Sequence, residues 1–272
     1  MEYEIKSAPK YHFNLKEIWE FRELIYFFTL RDIKIKYKQT VLGIIWAILQ
    51  PLLMMTIFTV FFSRQLNISS YAIPYPIFVF SGLILWNVFS TGLSLSGNSM
   101  VNNANIIKKI YFPRLIIPLA AVLGTLLDFT MTLILFIVLL YFYLPGASFL
   151  NFLLVLPISL FVTFLTTFGV GSFLAALNVK YRDFRYIIPF MIQVLLFITP
   201  VIYPISLMPA GWIRDLLSIN PLAGAIDLVR YSITGTPIDW LLVFRSSAIS
   251  LAFLFIGLTY FRKTEYYFAD LS

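Results

Sequence analysis

Long uncharged stretches of apolar residues alternate with shorter polar or charged stretches along most of the chain. A helix of about 20 apolar residues, rising about 1.5 Å per residue, crosses the roughly 30 Å hydrocarbon core of a bilayer. The pattern therefore predicts an all-α polytopic membrane protein with six transmembrane helices. The predicted spans are residues 41–63, 75–100, 115–144, 150–177, 187–205 and 240–261.

The segment before the first span predicts an amphipathic helix. Asn14 and Glu17 have the spacing of an N-terminal capping pair. We expect the helix to lie along the membrane surface, because the chain has no other long soluble segment to receive it. Its predicted apolar face consists of Ile18, Phe21, Ile25 and Phe28, and its charged face of Lys16, Glu20, Glu23, Arg31, Lys34 and Lys38.

The first twelve residues lack the apolar core of about 7–15 residues that a secretory signal peptide needs. We therefore expect the N-terminus to stay in the cytoplasm. This divides the chain into a cytoplasmic tail with the surface helix, residues 1–40, and a single transmembrane domain, residues 41–272.

Residues 206–239, between the fifth and sixth spans, are only moderately apolar and are interrupted by Pro209, Pro221 and Pro237. They are too long for a hairpin loop and too interrupted for a span. Two short helices, near residues 212–218 and 222–234, could re-enter the outer leaflet over a pathway, because irregular backbone at that depth needs protein or water around it. The composition agrees equally well with a plain cap on the outer surface.

The composition agrees with a membrane protein and excludes several other classes. Hydrophobic residues make up 60% of the chain and charged residues 12%, against about 45–50% and 25% in soluble domains. Disordered chains are poor in apolar residues, which excludes disorder. The absence of cysteine excludes a disulfide scaffold.

The basic residues indicate an orientation. Sixteen of the twenty fall in segments that an arrangement with both termini inside would place in the cytoplasm, as the positive-inside rule requires. The other four are Arg64, Arg214, Arg230 and Arg245. The net charge of +7 therefore reports topology, and we expect no nucleic-acid partner.

The sequence offers few groups for catalysis. His12 is the only histidine and lies in the N-terminal tail, and the chain has no cysteine. A metal site would need carboxylates alone, and the predicted spans contain only Asp128, so we expect no metal site. The phosphate-binding pattern G-x-x-x-x-G-K-[ST] is absent. We therefore expect a protein that is not an enzyme, and any ATP-driven function would take its ATPase from another polypeptide.

Asp128 is a candidate functional residue because ionisable groups within a span are costly and are commonly functional. It lies about 20 Å above the inner end of the third span, and Arg245 lies about 25 Å above the inner end of the sixth. The similar depth predicts that the two form an intramembrane pair. The pair could be a structural salt bridge or part of a transport pathway.

Aromatic residues make up 18% of the chain. Tyrosine and tryptophan near span ends are typical of the aromatic belt at a membrane surface. Aromatic side chains could also line a channel for a sugar polymer, since they are uncharged and carry hydrogen-bonding groups. The belt candidates are Trp19, Tyr37, Trp46, Tyr141, Tyr143, Tyr203, Trp212 and Trp240.

Five stretches in the same order resemble the permease subunits of type-2 ABC exporters, in the branch that moves polysaccharides. The resemblance covers the chain from about residue 14 to residue 272. The stretches are residues 30–51, residues 102–118, residues 177–186 with Gln193 and 198–204, residues 219–231, and residues 265–270.

The resemblance implies a half-transporter that forms a homodimer, with the channel at the dimer interface, and binds two copies of an ATP-binding subunit. ATP and Mg would be bound by that subunit, and this chain would carry no cofactor. The substrate would be an O-antigen, capsule or teichoic-acid polymer, commonly linked to an undecaprenyl-type lipid. The protein would lie in the bacterial inner membrane in contact with lipid.

The resemblance also implies contact residues. The loop between the second and third spans would enter a cleft of the ATPase, and the charged face of the surface helix, with Glu20, Arg31, Lys34 and Lys38, would rest on its membrane-facing side. Closure of the ATPase would then move the spans as rigid bodies. The implied coupling residues are Asn105, Lys108, Lys109, Tyr111, Phe112, Pro113 and Arg114, and those of a further cytoplasmic loop are Lys180, Tyr181, Arg182 and Asp183.

Two alternatives remain open at this point. A permease of the same architecture could carry a drug or a small lipid, although the chain lacks a large outer insertion. A secondary transporter or a lipid-processing membrane enzyme would usually place several ionisable groups inside the bilayer, and this chain has one expected pair.

Overall fold

The computed structural model describes residues 15–38, 41–63, 73–146, 148–205, 208, 211–235 and 237–265, and these residues form helices with no β-strand. His12, Asn14, Arg64 and residues 266–272 lie outside the described residues. The helices are α1 (Leu15–Glu20), α2 (Arg22–Tyr37), α3 (Val41–Phe62), α4 (Tyr75–Asn102), α5 (Ala104–Ile107), α6 (Ile116–Leu123), α7 (Thr125–Tyr143), α8 (Phe149–Lys180), α9 (Phe184–Ile198), α10 (Trp212–Ser218), α11 (Ala223–Thr234) and α12 (Trp240–Glu265).

Helix α4 forms the centre of the bundle. Its first half is enclosed by α7, α8, α9 and α11, and Phe78 and Phe80 are fully buried there. Phe80 stacks on Phe136 of α7 with 5.8 Å between ring centroids, and Phe136 meets Phe152 of α8 edge to face at 5.5 Å. Such aromatic contacts add about 0.5–1.5 kcal/mol each beyond the area that they bury.

Within the described ranges, five helical segments are long and apolar enough to cross a membrane. They correspond to the first, second, third, fourth and sixth predicted spans. The third is divided into α6 and α7 at Gly124, a residue that weakens a helix by about 1 kcal/mol relative to alanine.

The fifth predicted span is shorter in the structure than the sequence indicated. Helix α9 has only 15 residues, about 22 Å of helix. It ends because Thr199, which precedes Pro200, is extended with φ −81° and ψ 136°, as a residue before proline prefers. The chain continues without regular helix to residue 205.

The surface helix consists of two segments, α1 and α2, separated at Phe21. The predicted apolar face is correct, but it packs on the bundle itself. Phe28 is buried and lies 5.5 Å from Phe112, in a second apolar cluster that includes Phe261. Because α6 and the residues that precede it supply an apolar surface, this face of the helix is covered by protein and not by lipid.

Helices α8 and α12 cross in very close contact. A Cβ atom added to Gly257 would lie 1.9 Å from the carbonyl oxygen of Gly169, so only glycine fits at this crossing. The hydroxyl of Thr166 also donates to Ser250 at 2.8 Å. Small residues that let helix backbones approach closely are a common means of association in membranes.

Two short helices follow α9 where the sequence predicted them. Helix α10 has the predicted bounds, and α11 begins one residue later than predicted. They lie at the end of the bundle that contains the first turn of α4, because Arg230 of α11 donates to the carbonyl oxygens of Phe78 at 3.3 Å and Val201 at 2.8 Å. Arg230 is almost fully buried and pairs with Asp227 at 3.2 Å.

Candidate functional site

One end of the bundle, called here the basic end, gathers most of the positive side chains. The connection from α4 to α6, the turn from α8 to α9 and the last turn of α12 meet there, as shown by the bond from Arg114 to the carbonyl oxygen of Glu265. The basic residues at this end, apart from those of α1 and α2, are Lys108, Lys109, Arg114, Lys180, Arg182, Arg185, Arg262 and Lys263.

A cleft of about 970 Å³ opens near the basic end. Its walls are the last turns of α2, the second half of α4, the short α5, the end of α6 and the middle of α9. Polar residues of α4 and α9 face it, including Ser90, Ser94 and Gln193. No aromatic residue belongs to these described walls.

The α4 wall of the cleft belongs to a continuous polar face. Past Trp86 the partly exposed residues of α4 are mainly polar, and they recur at the three- and four-residue intervals that align side chains on one side of a helix. They are Asn87, Ser90, Thr91, Ser94 and Asn98. This face was not among the predicted features. A polar period of three to four residues within the second span was the available signal.

Several polar side chains of the cleft have unused hydrogen-bonding capacity. Within the described residues, Thr91, Ser94 and Gln193 make no side-chain hydrogen bond to the protein. Asn98, by contrast, is held in place: it donates to the carbonyl oxygen of Ser94 at 2.8 Å and accepts from the buried amide of Asn178 at 3.1 Å.

The charged groups of the cleft belong to α2, and they are paired. Arg31 bonds Asp32 at 2.7 Å. Lys36 bonds the carboxylate of Asp128 in the first turn of α7. The walls formed by α4 and α9 carry no charged residue.

Asp128 therefore has different partners from the one predicted. Lys36 and the hydroxyl of Tyr37 both donate to its carboxylate. Arg245 is exposed on α12, and no pair between it and Asp128 forms within the described residues. Burial, followed by the bond to Asp128, raises the pKa of Tyr37, so its hydroxyl stays protonated and donates. The position of Asp128 along its helix was predictable from the sequence, but the direction in which its side chain points was not.

The predicted coupling segment projects from the basic end on a buried anchor. Helix α5 carries the exposed Asn105, and Lys108, Lys109 and Tyr111 follow in a turn, with Tyr111 90% exposed. Phe112 and Pro113 are buried, and Phe112 packs on Phe28. Of the seven predicted coupling residues, the structure thus exposes four, buries two as the anchor, and half-buries Arg114, which bonds Glu265.

The other predicted contact residues are exposed around the same end. Glu20, Lys34 and Lys38 lie on the outer side of α1 and α2, and Arg31 is half-buried. Ile18 and Leu24 pack beside Ile106, which places this helix pair next to the projecting segment. The turn after α8 exposes Lys180, Tyr181, Arg182 and Asp183.

Comparison with known proteins shows the family to which the chain is similar. A family described as ABC-2 type transporter matches residues 23–234. An O-antigen export system permease protein RfbA of Klebsiella pneumoniae is 30% identical over 92% of this chain and 95% of its own length. An RfbA of Myxococcus xanthus is 29% identical over 76% of this chain and 79% of its own. The polysialic acid transport protein KpsM of Escherichia coli is 27% identical over 87% of this chain and 91% of its own.

Proposed function

Because the chain belongs to the ABC-2 type transporter family, we propose that it is the permease subunit of an ATP-driven exporter that moves a lipid-linked polysaccharide, of the O-antigen kind, across the inner membrane. The observation that carries this proposal is the similarity to O-antigen export permeases over nearly the full length of both chains. An undecaprenyl-type lipid is the proposed carrier.

The basic end is proposed to face the cytoplasm. Its lysines and arginines lie where the positive-inside rule places them in a protein with both termini inside. An arrangement with both termini inside needs an even number of crossings. Helix α9 and the irregular residues 199–205 would therefore together form one further crossing, which brings the number to six. Helices α10 and α11 would then lie at the outer end as re-entrant elements, held by Arg230.

The projecting segment is the proposed contact for the ATP-binding subunit. The exposed Tyr111 follows two lysines and is mounted on the buried Phe112 and Pro113. The segment can therefore be pushed without unfolding, because its base is fixed to the second apolar cluster. ATP and Mg would be bound and hydrolysed by the partner, and this chain would respond by moving its spans.

A second copy of this chain is the proposed partner within the membrane. Helices α3 and α9 both pack on α4 and make no extensive contact with each other, so they border the open side of α4. Each has a wide exposed apolar face. Two protomers that pair through these faces would enclose the α4 polar faces between them. The exposed residues include Ile45, Trp46, Leu49 and Leu53 on α3 and Phe190, Val194 and Phe197 on α9.

Removal of the protein from its host tests the proposal. We expect lipid-linked polymer to accumulate inside the cell and surface polymer to disappear, and a plasmid copy of the wild-type chain to restore export. We also expect the protein to co-purify with an ATP-binding subunit in equal numbers. Unchanged surface polymer without internal accumulation would overturn the assigned substrate, and purification without an ATP-binding subunit would overturn the assigned machinery.

A further inference from the structure

We infer that the cleft between α2, α4 and α9 binds an uncharged, hydroxyl-rich part of the sugar polymer on its way into the membrane. This inference rests on the proposed function and adds to it the chemical class of the segment recognised and the residues that contact it. Thr91 and Ser94 of α4 and Gln193 of α9 are the proposed contact residues.

The cleft offers several unused hydrogen-bonding groups. Thr91, Ser94 and Gln193 line the cleft, and within the described residues their side chains bond no other protein group. A hydroxyl and an amide can each both donate and accept, and so can each hydroxyl of a sugar. Residues from two helices therefore offer one polyol several hydrogen bonds at once.

The charges of the cleft disfavour an anionic ligand. Among the described residues that line the cleft, the charged ones are Arg31, Asp32 and Lys36 on its α2 wall, and each is already paired, Lys36 with Asp128. An anionic polymer segment would lose its hydration without gaining a free cation, and burying a charge without a partner is costly. A neutral sugar segment avoids this cost.

The size and position of the cleft also suit a segment of a sugar polymer. A volume of about 970 Å³ lies within the range of about 300–1,000 Å³ that ligand sites occupy. The cleft opens beside the basic end and extends along the polar face of α4 as far as Ser90. Asn178 fixes Asn98 on this face, so the hydrogen-bonding surface is organised in advance.

Cysteine labelling tests the inference directly, because the chain has no cysteine of its own. Single variants Thr91→Cys, Ser94→Cys and Gln193→Cys would be treated with a charged methanethiosulfonate in inside-out membrane vesicles. One set of vesicles comes from cells that make the lipid-linked polymer, and the other from cells that lack the enzyme that begins its synthesis. Lys263→Cys, at an exposed position in the last turn of α12, is the matched control at the same end of the bundle.

We expect labelling at the three cleft positions to slow severalfold when bound polymer covers them, and Lys263→Cys to label equally in both sets. Equal rates at the cleft positions in the two sets would overturn the inference. The proposed function would still stand if removal of the protein makes polymer accumulate, so the two failures are distinguishable.

Added oligosaccharides test the chemical class in polymer-free vesicles. We expect neutral glucan oligomers to protect Ser94→Cys, and oligogalacturonate at the same sugar concentration to give no protection. Protection by the anionic oligomer alone would overturn the assignment to an uncharged segment.

Export by substituted proteins gives an independent readout. Ser94→Leu removes the hydroxyl and is expected to lower surface polymer about fivefold, whereas Ser94→Asn retains export. Thr130→Leu, on an exposed position of α7, is the control for the change itself and is expected to have no effect. Wild-type export by Ser94→Leu at an equal amount of membrane protein would contradict the proposed contact.

Discussion

Lys36 at the end of α2 bonds Asp128 in the first turn of α7, across 92 positions of sequence. Tyr37 donates to the same carboxylate. The last turn of the surface helix is thereby fixed to the third membrane segment, and α3 begins four residues after Tyr37, at Val41. A displacement of the surface helix would thus act on α7 as well as on α3.

Substitution of Tyr37 by phenylalanine is expected to lower the free energy of unfolding by about 1 kcal/mol, the usual net value of one hydrogen bond. Lys36→Met is expected to cost less, because the Lys36 side chain is 44% exposed and water screens its charge. Unfolding in mixed detergent micelles would measure both changes.

A double-mutant cycle distinguishes the observed partner of Asp128 from the predicted one. We expect Tyr37→Phe and Asp128→Asn to be coupled by about 1 kcal/mol, and Arg245→Met and Asp128→Asn to be additive. Coupling found only with Arg245 would show that the sequence-based pair, and not the one described above, is formed in the membrane.

Substitution of Tyr111 by alanine is expected to abolish most export while leaving the protein inserted and folded. The side chain is 90% exposed, so its removal disturbs no packing within this chain, and a loss of export would reflect a lost contact with the ATP-binding subunit. Co-purification with that subunit should fall in parallel. Tyr141→Ala removes an exposed tyrosine at the opposite end of the bundle and should leave both measurements unchanged.

Substitution of Gly257 by alanine is expected to destabilise the α8–α12 crossing by about 1–3 kcal/mol or more, since the added methyl group meets the backbone of Gly169. The measurement is the fraction of protein that elutes as a single species on size-exclusion chromatography. Gly146→Ala is the control, because nothing lies within 4 Å of its Cβ position. Similar elution profiles for both variants would contradict the close crossing.

Substitution of Arg230 by methionine is expected to lower the free energy of unfolding by about 3–5 kcal/mol, because it leaves Asp227 buried without its partner. Arg230→Met combined with Asp227→Leu should recover most of the loss, as it removes both buried charges. Arg214→Met, at an exposed position, should change the free energy of unfolding by less than about 0.5 kcal/mol. An Arg230→Met protein as stable as wild type would show that this buried bond network does not anchor α11.

The helices were predictable from the sequence because their causes are local. Apolar runs determine the long helices, and Gly211 and Gly235 at the ends of the short ones are local signals too. The exception is α9. Its apolar run continues through Pro200, so the average hydropathy did not reveal that the proline ends the helix at Thr199.

The site was less predictable because it depends on direction around each helix. Hydropathy averaged over a span predicts how deep Ser90 and Ser94 lie in the membrane, but it does not predict which face of the helix they occupy. The depth of Asp128 likewise suggested Arg245, whereas the side chain points toward the end of α2. The projecting segment was identified as a unit, but the sequence did not separate the exposed Tyr111 from the buried Phe112.

The crossing of Gly169 and Gly257 bears on how exporters of this kind could be recombined. It joins α8 to α12, while the cleft is built by α2, α4, α5, α6 and α9. A chimera that keeps α8 and α12 from one parent therefore inherits this crossing intact, and cleft residues such as Ser94 and Gln193, which lie outside it, can be taken from another. On α4 the boundary between what holds the protein together and what it carries runs within one helix, because its buried face packs the bundle and its polar face lines the cleft.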